Sequence, residues 1–143
     1  MALNWDVLTF NITNNAPLPV NVSNVPNLDH GEWSTSPVSA GAKTSTNPSL
    51  VVQSTNASEI APVGSVTYGM ADGTTLSVNF SMQFPVAQTS TLTASLGGAR
   101  AGSYGVSLDS SWESWHGQGT RWTVTLTVST SPGKSSAECS YTR

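Results

Sequence analysis

Charge is what this sequence has least of. Lys, Arg, Asp and Glu together make up 9% of the chain, against the ~25% usual in globular proteins. The five basic residues, Lys43, Arg100, Arg121, Lys134 and Arg143, are scattered without a cluster. A sequence-independent grip on phosphates needs such a cluster, so the pattern argues against nucleic acid as a partner. It argues equally against purely electrostatic docking on anionic lipid. Cysteine is nearly absent: Cys139 stands alone, which excludes an intrachain disulfide. No apolar run approaches the ~20 residues of a membrane span. The start, MALNWDVLTF, has neither the basic nor the apolar region of a Sec signal peptide. The expected location is cytoplasmic, or secreted without a Sec signal peptide.

Low charge raises the question of disorder, but the net charge is only −3 and the apolar residues are periodic, which favours a folded chain. At 143 residues one domain is expected, burying roughly two thirds of its unfolded surface. Its polar surface has to be made of Ser, Thr, Asn and Gly, which suit strand faces and neutral polar ligands.

The clearest pattern lies between Val63 and Met82. Val66, Tyr68 and Met70 alternate with Thr67 and Gly69; beyond Asp72-Gly73, Leu76, Val78, Phe80 and Met82 alternate with Ser77, Asn79 and Ser81. Period-2 alternation on both sides of Asp-Gly is a strong hairpin signal. One face is apolar and must be covered by the rest of the chain, because a lone hairpin is marginal in water.

Similar alternation predicts strands at Trp5–Thr13, Leu18–Val22, Leu50–Ser54, Thr89–Leu96, Tyr104–Leu108 and Arg121–Ser129. Between Asn24 and Pro48 periodicity fails and Pro, Gly and Ser accumulate, so a long loop is expected, with at most a short strand at Glu32–Thr35. Asp109–Gly119 (DSSWESWHGQG) reads as a second loop, rich in aromatics. The whole predicts an all-β chain: a two-layer antiparallel β-sandwich of about eight strands with no substantial helix, a small barrel being the alternative. Residues 1–130 are expected to form the single domain and 131–143 a flexible C-terminal tail.

Two clusters carry candidate chemistry. One is Asp29-His30-Gly31-Glu32-Trp33; the other is Asp109 with Trp112, Glu113, Trp115 and His116. His30 and His116 with Asp29, Asp109 or Glu113 are ligand types a metal would accept, but their spacing matches no dedicated motif. There is no G-x-S-x-G elbow. No metal, cofactor or catalytic residue is therefore assigned. Trp112, Glu113, Trp115 and His116 fall within five positions of a Gly/Ser-rich stretch, where they cannot all be buried. An exposed Trp suits a bilayer interface or a sugar face, or can cage a choline group by cation–π contact with Glu113 beside it. The competing reading has these rings closing one end of the sandwich. Trp122, on the apolar face of a regular strand, is assigned to the core, and Trp5 is left unassigned.

Three segments together resemble a known family. They are FNITNNAPLPV near the start, Gly31-Glu32-Trp33 followed by Pro37, and Ser65–Gly69 (SVTYG), with the Trp-rich stretch and Trp122–Leu126 (WTVTL) near the end. The chain resembles the small crystal-protein-like and aegerolysin-type proteins of fungi and spore-forming bacteria. That resemblance implies a β-sandwich that binds membrane lipids, sometimes as one half of a pore-forming pair. Aegerolysins proper carry cysteines, including a Trp-Asp-Cys-Pro-Trp-Gly run; here Trp112, Trp115 and Gly117 stand without cysteine, so their lipid specificity does not transfer.

The reading that results is a non-enzymatic binding protein of cytolysin or defence type. It recognises membrane lipid head groups through Trp112, Glu113, Trp115 and His116, with Trp33 as a second wall, and makes peripheral contact with target cells. One alternative is a lectin that binds cell-surface glycans through the same aromatics, with Asp29 or Asp109 accepting sugar hydroxyls. The other is a self-associating structural or adhesion protein. A homo-oligomer or a partner protein is compatible with each.

Overall fold

The structure, a computed structural model of the chain, describes residues 6–55, 61–83, 87–114, 119–130 and 133–143. Among these the secondary structure is strand apart from one 3-10 turn, Ala101–Ser103. No helix is long and apolar enough to cross a membrane. The strands are β1 (Val7–Asn14), β2 (Asn21–Val22), β3 (Asn27–His30), β4 (Glu32–Thr35), β5 (Thr44–Gln53), β6 (Val63–Gly69), β7 (Thr75–Ser81), β8 (Thr89–Gly97), β9 (Gly105–Ser114), β10 (Thr120–Ser129) and β11 (Ser136–Thr142).

They form two sheets. The first has the order β4-β5-β1-β10-β9, and the second β11-β8-β7-β6-β2, with β3 also paired to β6. The pairing is antiparallel except between β1 and β10, which run parallel from Val7↔Arg121 to Asn14↔Val128. The two-layer sandwich expected from alternation is thus present. Its inner faces are the apolar members of each alternating run: Leu8, Phe10, Ile12, Trp122, Val124 and Leu126 from one sheet, Val66, Tyr68, Val78, Phe80 and Leu92 from the other, all buried. Each such side chain contributes roughly 1.5–3 kcal/mol by leaving water. Trp122, 1% exposed, is a core residue as expected.

The Val63–Met82 hairpin is β6 and β7, turning through Met70–Thr74. Gly73 takes φ +90 there, a conformation costly for any residue with a Cβ. Asp72 Oδ1 accepts the Thr74 amide at 3.0 Å, and its other oxygen accepts the Tyr104 hydroxyl at 2.6 Å. That phenol tie holds the Asp72 carboxyl below its usual range and pushes Tyr104 up.

Four expectations need correction. Asp109–Ser114 is not a loop but the second half of β9, paired residue by residue with β10. As an edge strand it carries polar residues on both sides, which hid its period. The segment expected as a flexible tail carries β11, paired with β8 from Ser136↔Ser95 to Thr142↔Thr89. Its inward residues Ala137, Cys139 and Tyr141 are too mixed in character to read as an apolar face. The Asn24–Pro48 stretch holds β3, β4 and the first half of β5. Pro48 is accommodated where the β1–β5 register shifts opposite Asn11. Among the described residues the strands accordingly number eleven, the short β2, β3 and β4 included, where about eight were expected.

Candidate functional site

The parallel β1–β10 pair brings the ends of five strands into one row. On the exposed face of the first sheet the register runs Glu32↔Gln53↔Val7↔Arg121↔Glu113, from β4 through β5, β1 and β10 to β9. At ~4.8 Å per strand the row spans roughly 19 Å. Gln53 Nε2 donates to Glu32 Oε1 at 2.9 Å. Behind this row, Thr9, Thr123 and Ser111 continue the same face. All of these except Glu32, together with Ser34, Val51 and Trp112, line an open groove of about 700 Å³.

One position further along each strand gives the row that faces inward: Trp33↔Val52↔Leu8↔Trp122↔Trp112. Its two ends are the aromatics singled out from the sequence, and they lie at opposite edges of the sheet. Trp33 reaches across to the second sheet and meets Phe80 edge-on, centroids 6.2 Å apart at 74°. It is therefore not a second wall beside Trp112. Trp112 stacks on Tyr141 of β11 (5.3 Å, 26°), and Tyr141 in turn meets Trp122 edge-on at 4.9 Å. This aromatic stack closes the gap between the β9 and β11 edges. Trp112 nevertheless remains 42% exposed, so it both packs and presents a ring to solvent.

Adjacent residues on a strand point to opposite faces. Trp112 and Glu113 therefore point to opposite faces of β9: Glu113 belongs to the groove row beside Arg121, while Trp112 borders the groove from the β9 edge. Asp109 lies on the groove face too, opposite Thr125, whose hydroxyl is 3.4 Å from Asn11 Nδ2. Trp115 and His116 lie outside the described residues.

The other cluster is divided as well. Gly31, at φ +102, sits where the chain crosses from the second sheet to the first. A Cβ there would lie 2.9 Å from the Gln53 carbonyl oxygen and 3.3 Å from Pro62, so only glycine makes the crossing. Asp29 stays with the second sheet and accepts a hydrogen bond from Asn27 Nδ2 at 3.0 Å, while Glu32 joins the first sheet at the end of the row, outside the groove lining. Among the described residues no three His, Cys, Asp or Glu side chains converge on one point.

Beneath the groove row lies a buried anchor. Asp6, fully buried, accepts the Thr120 amide at 2.9 Å. Its own amide hydrogen-bonds to Ser54 Oγ at 3.2 Å, and its carbonyl oxygen accepts the Ser54 amide at 2.9 Å. Arg143 Nη1 approaches its carboxylate at 4.0 Å. Burial raises the Asp6 carboxyl; the Thr120 amide and Arg143 only partly offset that. The anchor ties the residue after β5, the residue before β1 and the first residue of β10 to the end of the chain beyond β11. It keeps the row in register.

Sequence reasoning missed Arg121, Gln53, Val7 and Thr123 as site residues. Their outward direction was legible from alternation, since each neighbours a core residue. That they form one surface depends on the β1–β10 pairing across more than a hundred residues.

This fold places the chain among two-sheet β-sandwiches already known from solved structures. It is similar to the lipid-binding protein Nakanori, with a TM-score of 0.62 and 9% identity, covering 85% of this chain and 70% of that one. It is also similar to the RahU protein, solved in complex with a TRIS molecule, with a TM-score of 0.54 and 16% identity over 91% of this chain and 97% of that one. No family model matches the sequence, and no curated protein matches it. At these identities the likeness establishes the fold.

Proposed function

We propose that this chain is a non-enzymatic binding protein that recognises membrane lipid head groups at the Trp112 end of its first sheet. One observation carries the reading: a 42%-exposed Trp112 stands at the rim of a polar groove of about 700 Å³. An indole so placed suits the bilayer interface, where its apolar body and single donor are both satisfied. The groove beside it can take a head group while the ring rests at the membrane–water interface. The similarity in fold to a lipid-binding protein supports this reading. The contact is peripheral and, with so few basic residues, does not rest on attraction to anionic lipid. A cytolysin or defence role follows if bound chains assemble into a pore, alone or with a partner. Dye release from vesicles reports that step separately from binding.

Sedimentation with vesicles, read together with tryptophan fluorescence, tests the proposal. The expected result is co-sedimentation with a blue shift that Trp112→Phe reduces. No binding to any vesicle overturns it. A lectin is the second reading, favoured by the hydroxyls of Thr9, Ser111 and Thr123 in the groove. In that case free oligosaccharide binds without a membrane.

A further inference from the structure

Resting on the lipid reading above, we infer that the head group this groove takes is a neutral sugar, so that the target is an uncharged glycolipid rather than a phospholipid. Charge is the first argument. The groove lining carries one carboxylate, Glu113, and one guanidinium, Arg121. With no net positive charge, it offers a phosphate ester no net attraction. A neutral polyol needs none, and the carboxylate accepts its hydroxyl protons well.

Lining chemistry is the second argument. Behind the charged row, Thr9, Thr123 and Ser111 stand side by side across β1, β10 and β9, and Gln53 adds an amide at the row's other side. Hydroxyls and amides both donate and accept, as sugar hydroxyls do. Val7 and Val51 lie among them and give the C–H face of a pyranose ring an apolar surface. Size is the third. About 700 Å³ falls within the roughly 300–1,000 Å³ of small-molecule sites, with room for more than one ring. The position agrees, because a groove opening at the Trp112 end receives a head group that projects from the bilayer on which the indole rests.

Phosphatidylcholine vesicles with and without a neutral glycosphingolipid (glucosyl-, galactosyl- or lactosylceramide) provide the test. At least one glycolipid is expected to tighten binding about tenfold. Thr123→Val and Ser111→Ala should each take back several-fold of that gain, the scale of one lost hydrogen bond at 0.5–1.5 kcal/mol. Both positions are exposed, and unchanged melting temperatures confirm intact folds. Equal binding with and without every glycolipid overturns the inference while leaving the lipid reading in place. No binding to any vesicle overturns both. A glycolipid gain that neither variant reduces overturns the groove as its site.

Discussion

Asp6 offers a sharp test of how the site end is held together. Its carboxylate is fully buried and accepts the buried Thr120 amide at 2.9 Å, with Arg143 at 4.0 Å. Asp6→Ala leaves that amide without its acceptor, at about 1–3 kcal/mol, and removes the carboxylate that faces Arg143. It also relieves the cost of burying a carboxylate, so the expected net loss is about 2 kcal/mol. Asp6→Asn keeps an oxygen for Thr120 and discards the charge; it should stay within about 1 kcal/mol of wild type. The two variants also differ in pH response. Because burial raises the Asp6 carboxyl in the folded chain, the folded state holds a proton that the unfolded chain releases just above the ordinary aspartate value. The stability this group contributes is present below that value and declines as pH rises through the folded one. Asp6→Asn lacks the decline, so it should gain on wild type with rising pH. Urea melts of the three proteins at several pH values, from mildly acidic to neutral, provide the measurement. An Asp6→Ala protein as stable as wild type would refute the anchor. A wild type that gains on Asp6→Asn as pH rises would refute the burial argument.

Further consequences can be checked alongside. Gly64→Ala places a Cβ against the Asn27 carbonyl oxygen, 2.8 Å from Leu28 Cδ2 and 2.9 Å from Phe80 Cζ; it should cost about 1–3 kcal/mol in a denaturant melt, and an unaffected midpoint would contradict the β3–β6 contact. Trp112→Ala should cost about 2 kcal/mol in thermal melts by unstacking Tyr141, whereas an unchanged melting temperature would make Trp112 a ring without a packing role. Tyr68, pushed up to about 12 by burial, donates to or accepts from Ser49 Oγ at 2.9 Å; Tyr68→Phe should lose about 1 kcal/mol. Ultraviolet titration of the wild type should show all three tyrosines, Tyr68, Tyr104 and Tyr141, ionising late. A tyrosine that ionises at its ordinary value would count against its contacts.

Much of the fold was written in local pattern. Alternation around Asp72-Gly73 yields the β6–β7 hairpin, and WTVTL yields β10 with Trp122 inside, because side-chain direction in a strand is a property of consecutive residues. The same rule separates Glu113 from Trp112 once β9 is known to be a strand. Where an edge strand faces water on both sides, as in β9, or buries only Ala137, Cys139 and Tyr141, as in β11, the apolar period fades and composition reads as loop or tail. The candidate aromatics and carboxylates were visible as residue types, but their company was not. Gly31 sends Asp29 and Glu32 to different sheets, and Trp33 and Trp112 end at opposite edges of one row.

What the amino-acid sequence alone determined is therefore the all-β class, the inward apolar set, the tight hairpin and the scarcity of charge. What only tertiary structure decided is which strands lie side by side. Pairing β1 with β10 joins residues more than a hundred positions apart, and its register depends on fitting two apolar faces together and on Asp6 reaching Thr120. No stretch of local sequence carries that information, and the groove between Ser34 and Glu113 exists only because of it.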